Sequence, residues 1–457
     1  MASSPSTSPP LLRQLGLVSA AALVVSNMIG AGIFGTTGFM AAALGDAWLI
    51  LAAWTVGGLF AMAGAFSYSE LGVNLPSSGG EYVYLTRAYG PMWGYMTGWA
   101  SFFAGFSAPI ATAALIFSSY LGYFFPVLDP ARTAIVIGSG AFSLRLGGAQ
   151  LGAAALIAAF TLLNCFGVAR VARIQNFLTA LKVLVIVVFV ASGFAYGSGS
   201  WDHFSQPTTR EAPNALAVAF VIQLFFVMVG YSGWNAATYV AEELKQPEKT
   251  LPAALALGSG LVLALYLGLN LVFIYSTPLD ELKGVVAVGM VSAQNLFGDA
   301  GAAVFSGLMA VSIMSTVNAM VTIGPRVYYA MAQNGAFPAA AARVHPRFRT
   351  PIVAIVSQGV CAILMTLTPI PDLFVFIGFS LTFFSVLAVA SVFRFRRRPG
   401  WQRLRAVDFC FPLVPAAYIV VGAGMIVYGM IFAPVVSVAA LATIGLGGAV
   451  YHLTKVK

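Results

Sequence analysis

Apolar runs long enough to cross a bilayer recur about twelve times along these 457 residues, and they leave few folds open. A hydrocarbon core of about 30 Å takes roughly 20 apolar residues in helical form. The runs are 15–44, 47–71, 89–125, 150–168, 174–194, 215–241, 251–275, 300–331, 352–368, 373–393, 409–431 and 435–451. Residues 134–142 are also apolar but too short to span, and they read as part of an outer loop. Sixty per cent of the chain is hydrophobic and eight per cent charged, more apolar surface than a soluble core can use. Backbone polar groups find no partners in lipid, so spanning segments of this length must be helical. The chain reads as an all-α polytopic membrane protein. Its disordered N-terminal stretch is 1–14, its ten-helix core 15–398, and its two additional helices with a short tail 399–457.

The formal charge of +9 raises nucleic acid as a partner, but the basic residues answer that by location. With the loops assigned to alternate sides, eighteen Lys and Arg fall on the side of the N-terminus and four on the other. Lys182, inside a run, is the remaining one of 23. That asymmetry is the topogenic signature of a membrane protein and puts both termini in the cytoplasm. The Arg394–Arg398 cluster therefore reads as a topogenic and lipid-headgroup feature, and no nucleic acid is expected. The first run lacks the charged start and cleavage site of a signal peptide and is expected to be retained. Cys165, Cys361 and Cys410 form no disulfide framework. His203, His345 and His452 are too scattered for a metal site, and no nucleophile–base pair is visible, so neither a metal, a cofactor nor an enzyme is expected.

Two runs are interrupted. The first carries Gly30-Ala31-Gly32 in its middle, and an unbroken helix of thirty residues would measure roughly 45 Å, well beyond the bilayer core. Glycines there serve either as a packing surface or as a break lining a cavity. The sixth run breaks in the same way at Gly230-Tyr231-Ser232-Gly233-Trp234-Asn235, five segments later. Interrupted segments at matching places in two five-helix halves point to an inverted-repeat secondary transporter with its site at the midplane. At the first break, free N–H groups of Ala31, Gly32 and Ile33 would open a half-helix and attract a carboxylate. At the second, carbonyls near Val229 and Ser232 would close a half-helix and accept from an ammonium. Together they describe a seat for an α-amino acid that needs no charged side chain.

Lys182 lies nine residues beyond Arg173, roughly 13 Å along a helix, too far for its stem to snorkel the whole way. A charge so placed costs about 2.5–3.5 kcal/mol and marks function. Ser312, Ser315 and Thr316 share one face of the eighth run, either as a polar lining or bonded back to their own helix. Glu70, Glu81, Glu242 and Glu243 sit at run ends on the N-terminal side, where pairing with loop Arg and Lys is expected.

These residues resemble the amino acid–polyamine–organocation superfamily. Ile29–Phe34 is similar to its first-helix signature. So is Tyr68–Gly72 with Leu75-Pro76 and Ser78–Tyr82 to its second-helix and first-loop pattern. The stretches Asn164–Val168, Arg173–Gln175, Thr179–Lys182, Tyr231–Asn235, Glu242-Glu243 and Leu251-Pro252 resemble its L-type amino acid transporter branch. Ser315–Asn318, Arg326 and Gly335–Pro338 are similar to the eighth-helix pattern. The resemblance implies a leucine-transporter-type fold, alternating access, and sodium-independent exchange or proton-coupled uptake of amino acids. It implies that backbone at Ala31, Gly32 and Ile33 holds the carboxylate and carbonyls of Met28, Val229 and Ser232 the amine. It further implies that Lys182 reaches the first break and the hydroxyls of Ser312 or Thr316. Val229 stands where the family commonly has a bulky aromatic gate, and Ala104 where cation-selective relatives carry an acid. The outer loop 125–132 has no cysteine, so a covalent heavy-chain partner is not expected. The expected protein is an inner-membrane permease for neutral L-amino acids. The alternatives are an antiporter of polyamines or cationic amino acids, or an amino acid sensor that does not transport.

Overall fold

A computed structural model describes residues 13, 15–76, 79–138, 143–166, 169–333, 335, 337–348 and 350–455. Most of the N-terminal stretch 1–14 lies outside these residues, as do Ser78 and Val168 of the motifs above, and so do the side chains at 169–179, Arg170 and Arg173 among them. Ten helices among the described residues are long and apolar enough to cross a membrane, and two shorter apolar ones cover 180–196 and 352–365. These twelve fall on the twelve expected runs and are numbered here in that order.

The first segment is helical over Leu17–Met28, stops at Ile29 and Gly30, and resumes over Ala31–Gly35 and Thr37–Leu44. The sixth runs as α-helix over Leu216–Tyr231, turns through Ser232–Asn235, and continues as a 3₁₀ stretch Ala236–Glu243. Both interruptions fall on the glycine clusters, and Gly233 adopts a φ of 96° that an L side chain rarely takes. The third segment is helical over Pro91–Ala100 and Ala108–Leu121, with a π turn at Ser101–Ser107. In the eighth, Gly298 (φ 73°) parts a short lead-in from the spanning helix that ends at Gln333. Of the stretch 134–142, residues up to Ile137 lie in β1 (Thr133–Ile137), which pairs antiparallel with β2 (Leu144–Gly147), and 139–142 lie outside the described residues.

Loop contacts sort the connections into two groups. The first and fifth loops meet where the Thr208 N–H donates to the Gly45 carbonyl (2.8 Å) and Glu211 to Ala42 (2.9 Å). The fifth meets the end of the seventh segment through Ser200 and Tyr275 (2.8 Å), and the third meets the ninth through Arg145 and Leu367 (2.8 Å). On the other side, Leu15 bonds Glu243 (3.0 Å) and Lys245 bonds Leu15 (2.9 Å). Asn74 after the second segment donates to Gln402 (2.8 Å), and Thr350 before the ninth donates to Cys165 at the end of the fourth (2.8 Å). Odd loops meet odd loops and even meet even, as strict alternation requires. The second group, which includes the start of the chain, defines the N-terminal face.

That face carries the main ion-pair network. Glu70, fully buried at the end of the second segment, accepts both forks of the Arg396 guanidinium (2.7 and 2.6 Å) and the Trp401 indole N–H (2.8 Å). Arg396 also reaches Asp408 (2.9 Å) and lies over the Phe411 ring, 3.9 Å from its centroid. One member of the basic cluster thus belongs to a buried network and not to the lipid surface, because a carboxylate inside the fold demands a bidentate partner. Glu81 departs from expectation in the opposite sense. It forms no ion pair among the described residues and accepts instead from the Tyr68 hydroxyl (2.5 Å) and the Asn235 amide (3.4 Å).

Candidate functional site

The two breaks abut. A Cβ built on Gly32 would lie 2.5 Å from the Gly230 Cα and 2.7 Å from its nitrogen, so the backbones touch there. A Cβ on Gly233 would sit 2.9 Å from the Asn27 carbonyl carbon, and one on Gly30 would meet the Thr316 methyl at 3.4 Å. Gly32 and Gly233 therefore serve contact between the broken segments, and Gly30 faces the eighth, the small-residue reading realised at the breaks themselves.

Two side chains tie the breaks to neighbouring helices. The Lys182 ammonium, almost fully buried, donates to the carbonyls of Ser26 (2.9 Å) and Ile29 (2.6 Å) at the end of the first half-helix. Tyr266 of the seventh segment (Pro247–Ser276) stands between the breaks, its hydroxyl shared by the carbonyls of Met28 (2.7 Å) and Gly230 (2.9 Å). Sequence reasoning missed Tyr266. The available signal was a tyrosine in the middle of an apolar run, since a buried phenol must find a partner. Asn270, one turn on, bonds Thr37 of the first segment's second half (2.8 Å).

Ala31, Gly32, Ile33, Val229, Gly230 and Tyr231 are buried, whereas Gly30, Ser232 and Gly233 are partly exposed. The Val229 carbonyl already accepts from the Ser232 N–H (3.2 Å) and hydroxyl (2.9 Å), closing the sixth half-helix. Tyr231 donates to the Trp54 carbonyl of the second segment (2.9 Å), and its ring lies against Tyr266, centroids 5.2 Å apart. In the eighth segment Ser312 donates to Leu308 (2.8 Å) and Thr316 to Ser312 (3.5 Å), each within its own helix, and the buried Ser315 lies on the same face. Lys182 reaches the first break as the resemblance implies, but its two bonds above go to backbone carbonyls and not to these hydroxyls.

Away from the N-terminal face, Phe39, Phe226 and Phe374 meet edge-on and tilted, with centroids 5.0–6.5 Å apart, and the Tyr120 hydroxyl bonds the Phe34 carbonyl (3.1 Å). Towards the N-terminal face, Asn27 and Tyr239 are exposed, and Asn235 and Ala236 partly so. Ala104 is buried within the π turn of the third segment. Among the described residues no cluster of His, Cys, Asp or Glu could hold a metal ion.

A sequence profile described as amino acid permease matches residues 15–448. The human large neutral amino acids transporter small subunit 2 is 29% identical over 460 residues, 97% of this chain and 80% of that protein. The serine/threonine exchanger SteT of Bacillus subtilis (strain 168) is 30% identical over 413 residues, covering 89% of this chain and 88% of its own. The mouse Asc-type amino acid transporter 1 is 30% identical over 439 residues, 93% of this chain and 78% of that one.

Proposed function

The chain belongs to the amino acid permease family, and from that premise we propose that it is a secondary transporter carrying neutral L-amino acids across the plasma membrane by alternating access. The observation that carries the reading is the contact of two interrupted helices, Gly32 against Gly230, which brings the ends of four half-helices to one place. In this reading the N–H groups of Ala31, Gly32 and Ile33 take the carboxylate. Carbonyls of Met28, Val229 and Ser232 take the amine, while Gly230 and Gly233 keep the backbones close. Relatives named for large neutral amino acids and for serine and threonine support a neutral substrate.

Lys182 supplies a fixed positive charge where a bound cation would otherwise tie the first break, so transport is sodium-independent. Ser312, Ser315 and Thr316 form the polar face beside it. The exchanger named among the relatives favours exchange over proton-coupled uptake. The ten-helix core 15–398 folds as a five-plus-five inverted repeat, and segments eleven and twelve are additions to it. The basic side is cytoplasmic, so both termini lie there. Three packed phenylalanines on one side and the exposed Asn27 and Tyr239 on the other support a state open to the cytoplasm. A cationic substrate would need an acid near the breaks, and the place expected for one holds Ala104. The protein is a carrier and not an enzyme, and works without a covalently linked heavy chain. Counterflow of labelled neutral amino acid in proteoliposomes tests the reading.

A further inference from the structure

On the N-terminal face, the connection between the tenth and eleventh segments lies against the start of the seventh and the last turns of the second (Ala47–Asn74). Together they line a groove of about 780 Å³. The connection is held in place there. The Gln402 N–H donates to the Asn74 side chain (2.8 Å) and its carbonyl accepts from the same amide (2.8 Å), while the Leu404 N–H donates to the Glu70 carboxylate (3.3 Å). Arg403 sits between these two pinned residues and Arg405 follows them, so the backbone that carries both cations is fixed. Lys249 lines the groove from the seventh segment, beside a single acid, Glu248. The ion pairs of this face go to Arg396, and among the described residues Lys249, Arg403 and Arg405 take part in none. The floor is apolar. Lys249, Pro252, Ala253 and Ala256 fall at i, i+3, i+4 and i+7, one face of the seventh helix. That face runs on past the groove through the exposed Leu257 to Gly260, where a Cβ would meet nothing within 4 Å. Phe66 lines the groove from the second segment, and the exposed Leu59 lies two turns deeper on the same face.

We propose that this groove binds one anionic phospholipid of the leaflet on the N-terminal face, with its phosphate on Arg403, Arg405 and Lys249 and a chain along Ala253, Ala256 and Leu257. Three cations and one acid leave the groove an excess of two positive charges, which no ion pair among the described residues takes up. An arginine fork matches two phosphate oxygens at once, and a lysine adds a point charge. Basic pockets between spanning helices on the cytoplasmic side suit acidic headgroups for this reason. The apolar floor decides between two sources of phosphate. A free phosphate would use the cations alone and leave the floor in water. A phospholipid brings phosphate and hydrocarbon together, in the order in which the groove presents cations at its mouth and apolar surface towards the bilayer. The inference needs only the membrane-spanning fold and does not depend on the carrier reading.

Native mass spectrometry of the purified full chain tests this, with phosphatidylglycerol or phosphatidylcholine of the same chains titrated into non-ionic detergent. Wild type should retain one phosphatidylglycerol in preference to phosphatidylcholine. Arg403→Gln/Arg405→Gln should weaken that binding roughly thirtyfold, at about fivefold for each basic residue beside an acidic lipid. Arg343→Gln/Arg347→Gln removes the same charge from exposed positions elsewhere on this face and should bind as wild type does. Ala256→Phe keeps every charge but fills the floor, and it should weaken binding too. Glycerol 3-phosphate, which offers the phosphate without chains, should not displace the lipid. Equal losses in the two double variants would reduce the effect to general surface charge and overturn the site, as would equal retention of phosphatidylcholine. Displacement by glycerol 3-phosphate, with binding unchanged in Ala256→Phe, would overturn the lipid assignment in favour of a soluble phosphate.

Discussion

Gly32→Ala is the smallest change that strikes the centre of the proposed site. The added methyl carbon would lie 2.5 Å from the Gly230 Cα and 2.7 Å from the Gly230 nitrogen. Non-bonded carbons rest at about 3.5 Å or more, so the broken segments must part by about 1 Å. Both obstructing atoms are backbone, and no side chain can swing away to relieve the contact. Overpacking of this kind costs about 1–3 kcal/mol, which corresponds to a roughly 5- to 150-fold loss of the productive arrangement. The assay compares counterflow per inserted protein with that of Gly260→Ala, where a methyl group meets nothing within 4 Å. Gly260→Ala should transport as wild type, and Gly32→Ala should fall at least about fivefold while still inserting and purifying as a monodisperse protein. Equal transport by the two variants would refute the argument, because it would show that close backbone contact at the breaks is dispensable.

Lys182→Ala removes two charge-assisted bonds that hold the Ser26 and Ile29 carbonyls. Counterflow should be largely lost and thermal stability in detergent should drop by about 2 kcal/mol, whereas wild-type transport should be unchanged when sodium is replaced by choline. Tyr266→Phe leaves the ring packed but takes the shared hydroxyl from the Met28 and Gly230 carbonyls. Its cost should be about 1–3 kcal/mol in the same melting assay, with reduced transport, because a lost partner for a buried carbonyl is expensive.

The segments were legible because lipid allows so few solutions: spanning length, helical backbone and charge asymmetry are all written in composition along the chain. The breaks were legible for a related reason, since Gly30–Gly32 and Gly230–Gly233 interrupt runs that otherwise favour helix. What sequence did not give were contacts between segments far apart in the chain. Tyr266 lies 238 residues from Met28, and nothing local marks it as the link between the breaks. Glu81 and Glu70 look alike in sequence, both acids at the end of an apolar run. Only packing separates them, with Arg396 delivered to Glu70, and the Tyr68 hydroxyl and Asn235 amide to Glu81. The hydroxyls of Ser312 and Thr316 share a face as expected, yet they bond their own helix, a choice set by rotamer and neighbour rather than by spacing. The π turn at Ser101–Ser107 left no periodic signal, because one extra residue per turn is invisible in so uniformly apolar a run.

The central claim is that the two breaks seat a neutral amino acid without help from a charged side chain. Competition during counterflow tests it most directly. Proteoliposomes loaded with an unlabelled neutral amino acid take up the labelled one while single competitors are added outside. Neutral L-amino acids should suppress uptake. Arginine, glutamate and spermidine should not, because each would carry an unpaired charge into a desolvated site. Suppression by arginine or spermidine as strong as that by a neutral amino acid would contradict the account.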